Sequence, residues 1–282
     1  MSAEDRDERE DRGGTGAEAP GPIRHQWQKQ IVVPEVPAGW HTGPPDFVGV
    51  GAQRGGTTWW YRGAIRPHPQ VANPEGPRKE IHFFDRFFAE SAPPIAELAA
   101  RYAELFPRQD GQITGEWTPR YMSDFWALRM IREIAPGARI LIMLRDPVER
   151  WRSGIGRDVR KAEREGYAGS AAVSGDNLYR SMYFEQVKRA LDLFGPDRVL
   201  VLQFEKALAD TLGEMRRTHE FLEIEPLEEL PKRLARDAPD HAKKPDLDPL
   251  LRDELVERLR GDVDRLAALC PEIDVARWPN FS

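Results

Sequence analysis

Apolar and polar positions along the chain fall into two recurring patterns. Short apolar runs at 47–50, 139–144 and 199–204 have the length and aliphatic content of buried strands, and 112–117 reads as a further strand. Between them, apolar residues recur at three- and four-residue spacing. That spacing predicts helices over 58–66, 95–106, 124–134, 178–194, 211–222 and about 250–269. Pro136-Gly137 and Gly195-Pro196 act as helix stops, and Pro147 is placed to open a helix at its first turn. The segments 67–78, 167–176 and 231–249 are small, polar or proline-bearing and read as loops, the middle one as a lid. Residues 80–84 read as a short buried strand or a turn, and no internal repeat is evident.

The strand–helix alternation recurs at least three times, which predicts an α/β fold with a central parallel sheet flanked by helices on both faces. Ligands bind such sheets at the carboxyl ends of the strands. The segments 51–58, 145–153 and 79–85 follow or adjoin predicted strands, so they are expected to share one crevice.

Composition narrows the class without changing this picture. A chain of 282 residues with 40% hydrophobic and 31% charged residues suits one large globular domain. The net charge of −6 disfavours a general nucleic-acid binder. Acidic residues crowd the N-terminus, where residues 1–20 hold seven acids against three arginines and almost no large apolar side chain. Residues 1–22 are therefore expected to be a disordered acidic tail, with one domain over 23–282. The N-terminus is too acidic for a signal or transit peptide, and no apolar run approaches the roughly 20 residues of a membrane helix. The single cysteine, Cys270, excludes an internal disulfide framework and multi-cysteine metal clusters, so a reducing cytoplasm is expected. No ligand spacing suggests zinc or magnesium.

The chemistry concentrates after the first strand, in Gly51-Ala52-Gln53-Arg54-Gly55-Gly56-Thr57-Thr58-Trp59-Trp60. Glycines allow a tight turn whose N–H groups converge on an anion at the positive end of a helix. A Walker loop puts lysine after its last glycine. Here the cation, Arg54, precedes the glycine pair and hydroxyls follow. The plain alternative is a glycine turn capping an ordinary helix. A second basic constellation follows the 139–144 run, where Arg145 ends a strand and Ser153 lies two helical turns on. A planar guanidinium and a neutral hydroxyl suit a phosphate. The alternative pairs Arg145 with Glu149 and leaves Ser153 facing solvent. Two separated anion sites fit a ligand with two anionic ends.

These stretches resemble the sulfotransferases that use 3′-phosphoadenosine 5′-phosphosulfate (PAPS). The first is similar to their 5′-phosphosulfate loop and the second to their 3′-phosphate motif. Lys79-Glu80-Ile81-His82-Phe83-Phe84-Asp85 resembles a signature of the heparan-sulfate-type branch, as does Gly115-Glu116-Trp117-Thr118-Pro119-Arg120-Tyr121. The stretches 180–194 and 200–205 follow the same family pattern. The likeness spans roughly 46–225, and weakly the last helix and Trp278. Arg54 stands where many members carry lysine, and neither a membrane anchor nor the cysteine pair of many Golgi relatives is found. These departures bear on the acceptor and leave the donor motifs intact.

The resemblance implies a P-loop-kinase-like sulfotransferase fold and transfer of a sulfuryl group to a hydroxyl of a small molecule or glycan. Neither nucleic acid nor membrane is an expected partner. Arg54 would neutralise the leaving 5′-phosphate, helped by Gln53, Gly55, Gly56, Thr57 and Thr58, while Arg145 and Ser153 hold the 3′-phosphate. Glu80 matches the family's base, the plain alternative being a salt bridge with Lys79 or Arg78; Phe83 and Phe84 are expected to flank it and raise its pKa. His82 is assigned to orientation or acceptor binding, Lys79 to the sulfonate or acceptor, and Asp85 to orienting its neighbours. Trp59 either stacks on adenine or belongs to the core, to which Trp60 is assigned. Lys243, Lys244 and Arg180 are candidates for closing the 3′-phosphate site, and Trp117, Thr118 and Tyr121 for the acceptor pocket. Two other readings stay open: a P-loop kinase or other nucleotide phosphotransferase, and a nucleotide-binding module without chemistry.

Overall fold

A computed structural model describes residues 31–73, 79–88, 92–165, 171–236 and 247–282. The acidic tail, residues 167–170 of the expected lid, and Lys243 and Lys244 lie outside the described residues.

In chain order the elements are β1 (His41–Thr42), β2 (Phe47–Gly51), α1 (Thr57–Trp60), α2 (Ile95–Ala103), β3 (Pro107–Arg108), β4 (Gly115–Trp117) and α3 (Ala127–Ile134). They continue with β5 (Arg139–Leu144), α4 (Pro147–Glu165), α5 (Ala171–Tyr179), α6 (Phe184–Phe194), β6 (Val199–Gln203), α7 (Phe204–Ala209), α8 (Thr211–Phe221), α9 (Lys232–Arg236) and α10 (Pro249–Leu269). Four strands form a parallel sheet in the order β4-β2-β5-β6, while β1 and β3 make a separate antiparallel pair.

The strand sequences explain why the sheet is covered twice. Val48, Val50, Ile140, Ile142, Leu144 and Val201 point into one core, closed by Leu98, Ile131, Val187 and Leu259 from α2, α3, α6 and α10. Phe47, Leu141, Met143, Leu200 and Leu202 alternate with them into a second core, closed by Trp60, Met215 and Leu234 from α1, α8 and α9. A period of two distributes apolar side chains to both faces. Each buried Leu or Ile contributes about 1.5–3 kcal/mol.

Four expectations differ from the structure in detail. The predicted helix over 58–66 starts at Thr57 and becomes a π-helical turn at Tyr61–Ile65. The predicted helix over 178–194 is broken before α6, because the buried carboxylate of Asp262 on α10 accepts the Tyr183 and Phe184 amides at 2.6 and 3.2 Å. That is an N-cap supplied from a distant helix. The expected lid 167–176 carries the start of α5, which is held by Asn177; its Nδ2 donates to Asp158 at 2.9 Å. The predicted loop over 231–249 contains α9. Among the described residues, no helix is long and apolar enough to cross a membrane.

Candidate active site

The turn after β2 is shaped by its two glycines. A Cβ on Gly55 would stand 2.4 Å from the Met143 carbonyl oxygen, and one on Gly56 would stand 2.4 Å from the Phe204 ring. Gly56 also has φ 93°, which favours glycine. Arg54 itself is left-handed, at φ 69°, a costly conformation for a residue with a side chain. The turn thereby delivers the Arg54 guanidinium to a cavity of about 470 Å³.

The same cavity receives Arg145 and Ser153 from the β5–α4 junction, and Glu80 from its far side. Gln53, Gly56, Thr57, Thr58 and Trp59 complete the loop side of the wall. Gly55 is buried beneath it. Arg54 Nε donates to Ser153 Oγ at 3.0 Å, so Ser153 does not face bulk solvent. Arg145 packs on the Phe204 ring at 4.9 Å and approaches Glu149 at 3.6 Å, an ion-pair distance. The two anion stretches therefore open on one space.

Three further arginines, Arg62, Arg157 and Arg233, line this cavity, where Glu80 is the one carboxylate among the described residues. Loss of bulk hydration lowers the Arg54 pKa, and the positive charges of Arg157, Arg160 and Arg145 lower it further. Guanidinium groups stay protonated nonetheless, so the cluster stores repulsion that an anion would relieve. Arg157 lies four residues after Ser153 and Arg62 four after Thr58, one helical turn in each case. That spacing was the available sequence signal for both. Arg233 and Phe204 carry no such signal, since long-range packing brings them to the wall.

The Lys79–Asp85 segment is not extended. Lys79 bridges to Trp117, then Glu80 and His82 turn left-handed at φ 63° and 57°. The turn gathers charges. Lys79 Nζ contacts Glu80 Oε1 at 2.8 Å, His82 Nε2 stands 3.9 Å from Glu80 Oε2, and His82 Nδ1 meets Asp85 Oδ2 at 2.5 Å. The expected rise in the Glu80 pKa is not found. Phe83 and Phe84 are buried in the core against Tyr102, and Glu80 instead faces cations. Interaction with His82 lowers its carboxyl to about 2 against the opposing effect of burial, with Lys79 adding to the lowering. Burial disfavours the His82 cation, but Asp85 and Glu80 together raise its pKa to about 9.

Trp59 lines the cavity although it is only 8% exposed, with its Nε1 donating to the Leu234 carbonyl at 3.0 Å. Trp60 is fully buried and donates to Thr218 Oγ1. Trp117, Thr118 and Tyr121, expected in the acceptor pocket, are fully buried behind its wall. Trp117 Nε1 donates to the Gly51 carbonyl, and both hydroxyls are engaged by the buried Glu116. Arg180 reaches Gln53 Oε1 and Asp176. Arg145 also borders a second cavity of about 640 Å³, together with Arg152, Arg252, Glu205 and Asn280.

Comparison with known proteins meets this geometry. The profile of the "Sulfotransferase family" matches residues 95–229. The chain is 29% identical over 189 residues to human "Heparan sulfate glucosamine 3-O-sulfotransferase 6", covering 63% of this chain and 52% of that protein. It is 28% identical over 189 residues to the mouse 3-O-sulfotransferase 3A1, covering 63% of this chain and 45% of that one. Among solved structures, a sulfotransferase from Alicyclobacillus acidocaldarius superimposes with a TM-score of 0.63 at 27% identity, over 83% of this chain and 98% of that chain.

The profile, the curated relatives and the solved neighbour all point to the sulfotransferase family. It spans about half the length of the curated relatives it matches. The matched profile takes in Arg145 and Ser153, whereas Arg54 and Glu80 precede it. The structural likeness covers most of the chain, so the fold surrounding both halves of the cavity is the family's.

Proposed function

We propose that this protein transfers a sulfuryl group from 3′-phosphoadenosine 5′-phosphosulfate to a hydroxyl of a small molecule or carbohydrate. The observation that carries the reading is the meeting of Arg54 and Arg145 in one cavity, with Ser153 bonded to Arg54. The donor has an anionic group at each end, and the residues present fit it. Five cavity arginines would be relieved by anions, and the glycines at 55 and 56 permit the tight turn that presents Arg54 to the cavity. When bound, the donor supplies the sulfuryl group and leaves as adenosine 3′,5′-bisphosphate.

The protein's own part is positioning and charge compensation, as in phosphoryl transfer. Arg54, with Gln53, Gly55, Gly56, Thr57 and Thr58, would hold the 5′ end and offset charge developing on the leaving phosphate oxygen. Arg145 and Ser153 would hold the 3′-phosphate, and Trp59 would offer a ring face to the base. Lys243 and Lys244 remain candidates for closing that end.

Glu80 would take the acceptor hydroxyl's proton. Its pKa of about 2 guarantees an ionised carboxylate at neutral pH but makes it a weak base. Loss of the His82 or Lys79 interaction would raise that basicity. His82 would orient Glu80 and contact the acceptor, with Asp85 fixing the ring. A cytoplasmic location fits a protein whose one cysteine, Cys270, is free and buried.

The test is calorimetric titration with adenosine 3′,5′-bisphosphate, followed by transfer of ³⁵S from labelled donor into fractionated host extract. Tight binding and a labelled acceptor are expected. Preference for ATP with magnesium, and no transfer, would overturn the reading.

A further inference from the structure

Glu116 on β4 is fully buried, and among the described residues no cation lies within ion-pair reach of it. Its oxygens receive three hydroxyls instead. Tyr102 and Tyr121 donate to Oε1 at 2.7 and 3.1 Å, and Thr118 donates to Oε2 at 2.5 Å. A buried carboxylate without a cation is costly, and apolar residues of similar volume would pack there at lower cost. Such a group calls for a reason beyond packing.

The direction of the hydrogen bonds supplies it. Burial raises the Glu116 pKa, while the three hydroxyl bonds favour its ionised form. A carboxylate in that form only accepts, so each hydroxyl spends its one proton on Glu116 and presents its lone pairs elsewhere. Thr118 Oγ1 accepts from the His82 amide at 3.3 Å, and Tyr121 Oη accepts from the Phe83 amide at 2.8 Å. The Glu80 amide donates to the Trp117 carbonyl at 3.0 Å. Three amides of the 80–83 turn are thus tied to the 117–121 segment, two of them through hydroxyls oriented by Glu116. These ties flank the left-handed residues Glu80 and His82, whose backbone needs outside restraint.

We propose that Glu116 is a positioning residue. Acting through Thr118 and Tyr121, it holds the turn that aims Glu80 into the cavity and sets His82 behind it. The inference rests on Glu80 being the base, and it gives the buried hydroxyls at 118 and 121 a role other than contact with acceptor.

Tyr121→Phe deletes one link and keeps the ring in the core; Glu116→Gln replaces the acceptor-only group with one that also donates. Three quantities would be measured for each: amide exchange at His82 and Phe83, sulfate release from ³⁵S-labelled donor, and adenosine 3′,5′-bisphosphate affinity. We expect Tyr121→Phe to exchange at least about tenfold faster at Phe83 and to lose turnover on the order of 10- to 100-fold, with donor-product affinity kept within about twofold. Unchanged exchange at both amides would overturn the inference, as would a turnover loss matched by an equal loss of affinity. Glu80→Gln is the separating control. Unchanged turnover in that variant removes the base assignment, while amide exchange still decides whether Glu116 holds the turn.

Discussion

Arg54 donates from Nε to the Ser153 hydroxyl at 3.0 Å, across 99 positions of sequence. That bond joins the turn after β2 to the second helical turn of α4. The guanidinium's remaining donors stay available to a ligand, since Nε is only one of its five N–H groups.

Removing either grip should therefore weaken binding of a doubly anionic nucleotide. Arg54→Ala or Arg145→Ala is expected to cost about 1.5–3 kcal/mol in adenosine 3′,5′-bisphosphate binding, the usual worth of hydrogen bonds to charged groups. Arg54→Lys keeps the charge but lacks Nε and the planar fork, so it should recover part of the affinity and lose the tie to Ser153. Calorimetry at two salt concentrations checks both points, because wild-type affinity should fall as salt rises. Undiminished affinity in both alanine variants would remove these two residues from the binding site.

Trp59 and Trp60 are adjacent and should behave differently. Trp59 borders the cavity, so Trp59→Leu should weaken nucleotide binding by about 1–3 kcal/mol, the range for base stacking on an aromatic ring. Trp60 is wholly enclosed in the second core, so Trp60→Leu should lower Tm and leave affinity nearly intact. Equal loss of affinity in both would mean that Trp59 is merely a core residue.

The charged turn predicts how stability varies with pH. His82 has a folded pKa raised from 6.5 to about 9, so its contribution is fully present below about 6.5 and is lost as pH rises through about 9. Glu80 has a folded pKa lowered from 4.5 to about 2, so its contribution is present above about 4.5 and is lost as pH falls through about 2. Urea unfolding at a series of pH values should show both limbs. His82→Gln should flatten the alkaline limb, and an unchanged limb would show that the Glu80–His82–Asp85 cluster does not stabilise the fold.

Legibility in the sequence followed the range of the forces involved. β5 and the Pro147 start of α4 are set by their own residues, and both appear where the 139–144 run and the proline predict them. Arg54 and Arg145 could be read because each follows a buried strand, Arg145 directly and Arg54 within the glycine turn. The break before α6 was not legible, since Asp262 imposes it from α10. Nor were the left-handed Glu80 and His82, whose amides are held by residues 117–121. An isolated Lys-Glu-x-His segment offers no local reason for that backbone. The depressed Glu80 pKa follows from the same long-range folding, because the turn swaps the expected aromatic flank for Lys79 and His82.

Two backbone-centred substitutions should separate fold from site. Asp262 caps α6 through the Tyr183 and Phe184 amides, on the side of the sheet closed by α6 and α10. Asp262→Ala should cost about 0.5–2 kcal/mol, the range for losing an N-cap, and leave nucleotide affinity unchanged. Gly56→Ala acts differently. The new methyl meets the Phe204 ring, and φ 93° disfavours any side chain, so the turn must shift. Phe204 carries the Arg145 guanidinium on its face, and Arg54 precedes the glycine pair by one residue. A shift there disturbs both grips together, so affinity for adenosine 3′,5′-bisphosphate should fall by more than Tm alone would suggest. Chemical denaturation and calorimetry on the two variants decide it; affinity retained in Gly56→Ala would show that the turn does not set the anion site.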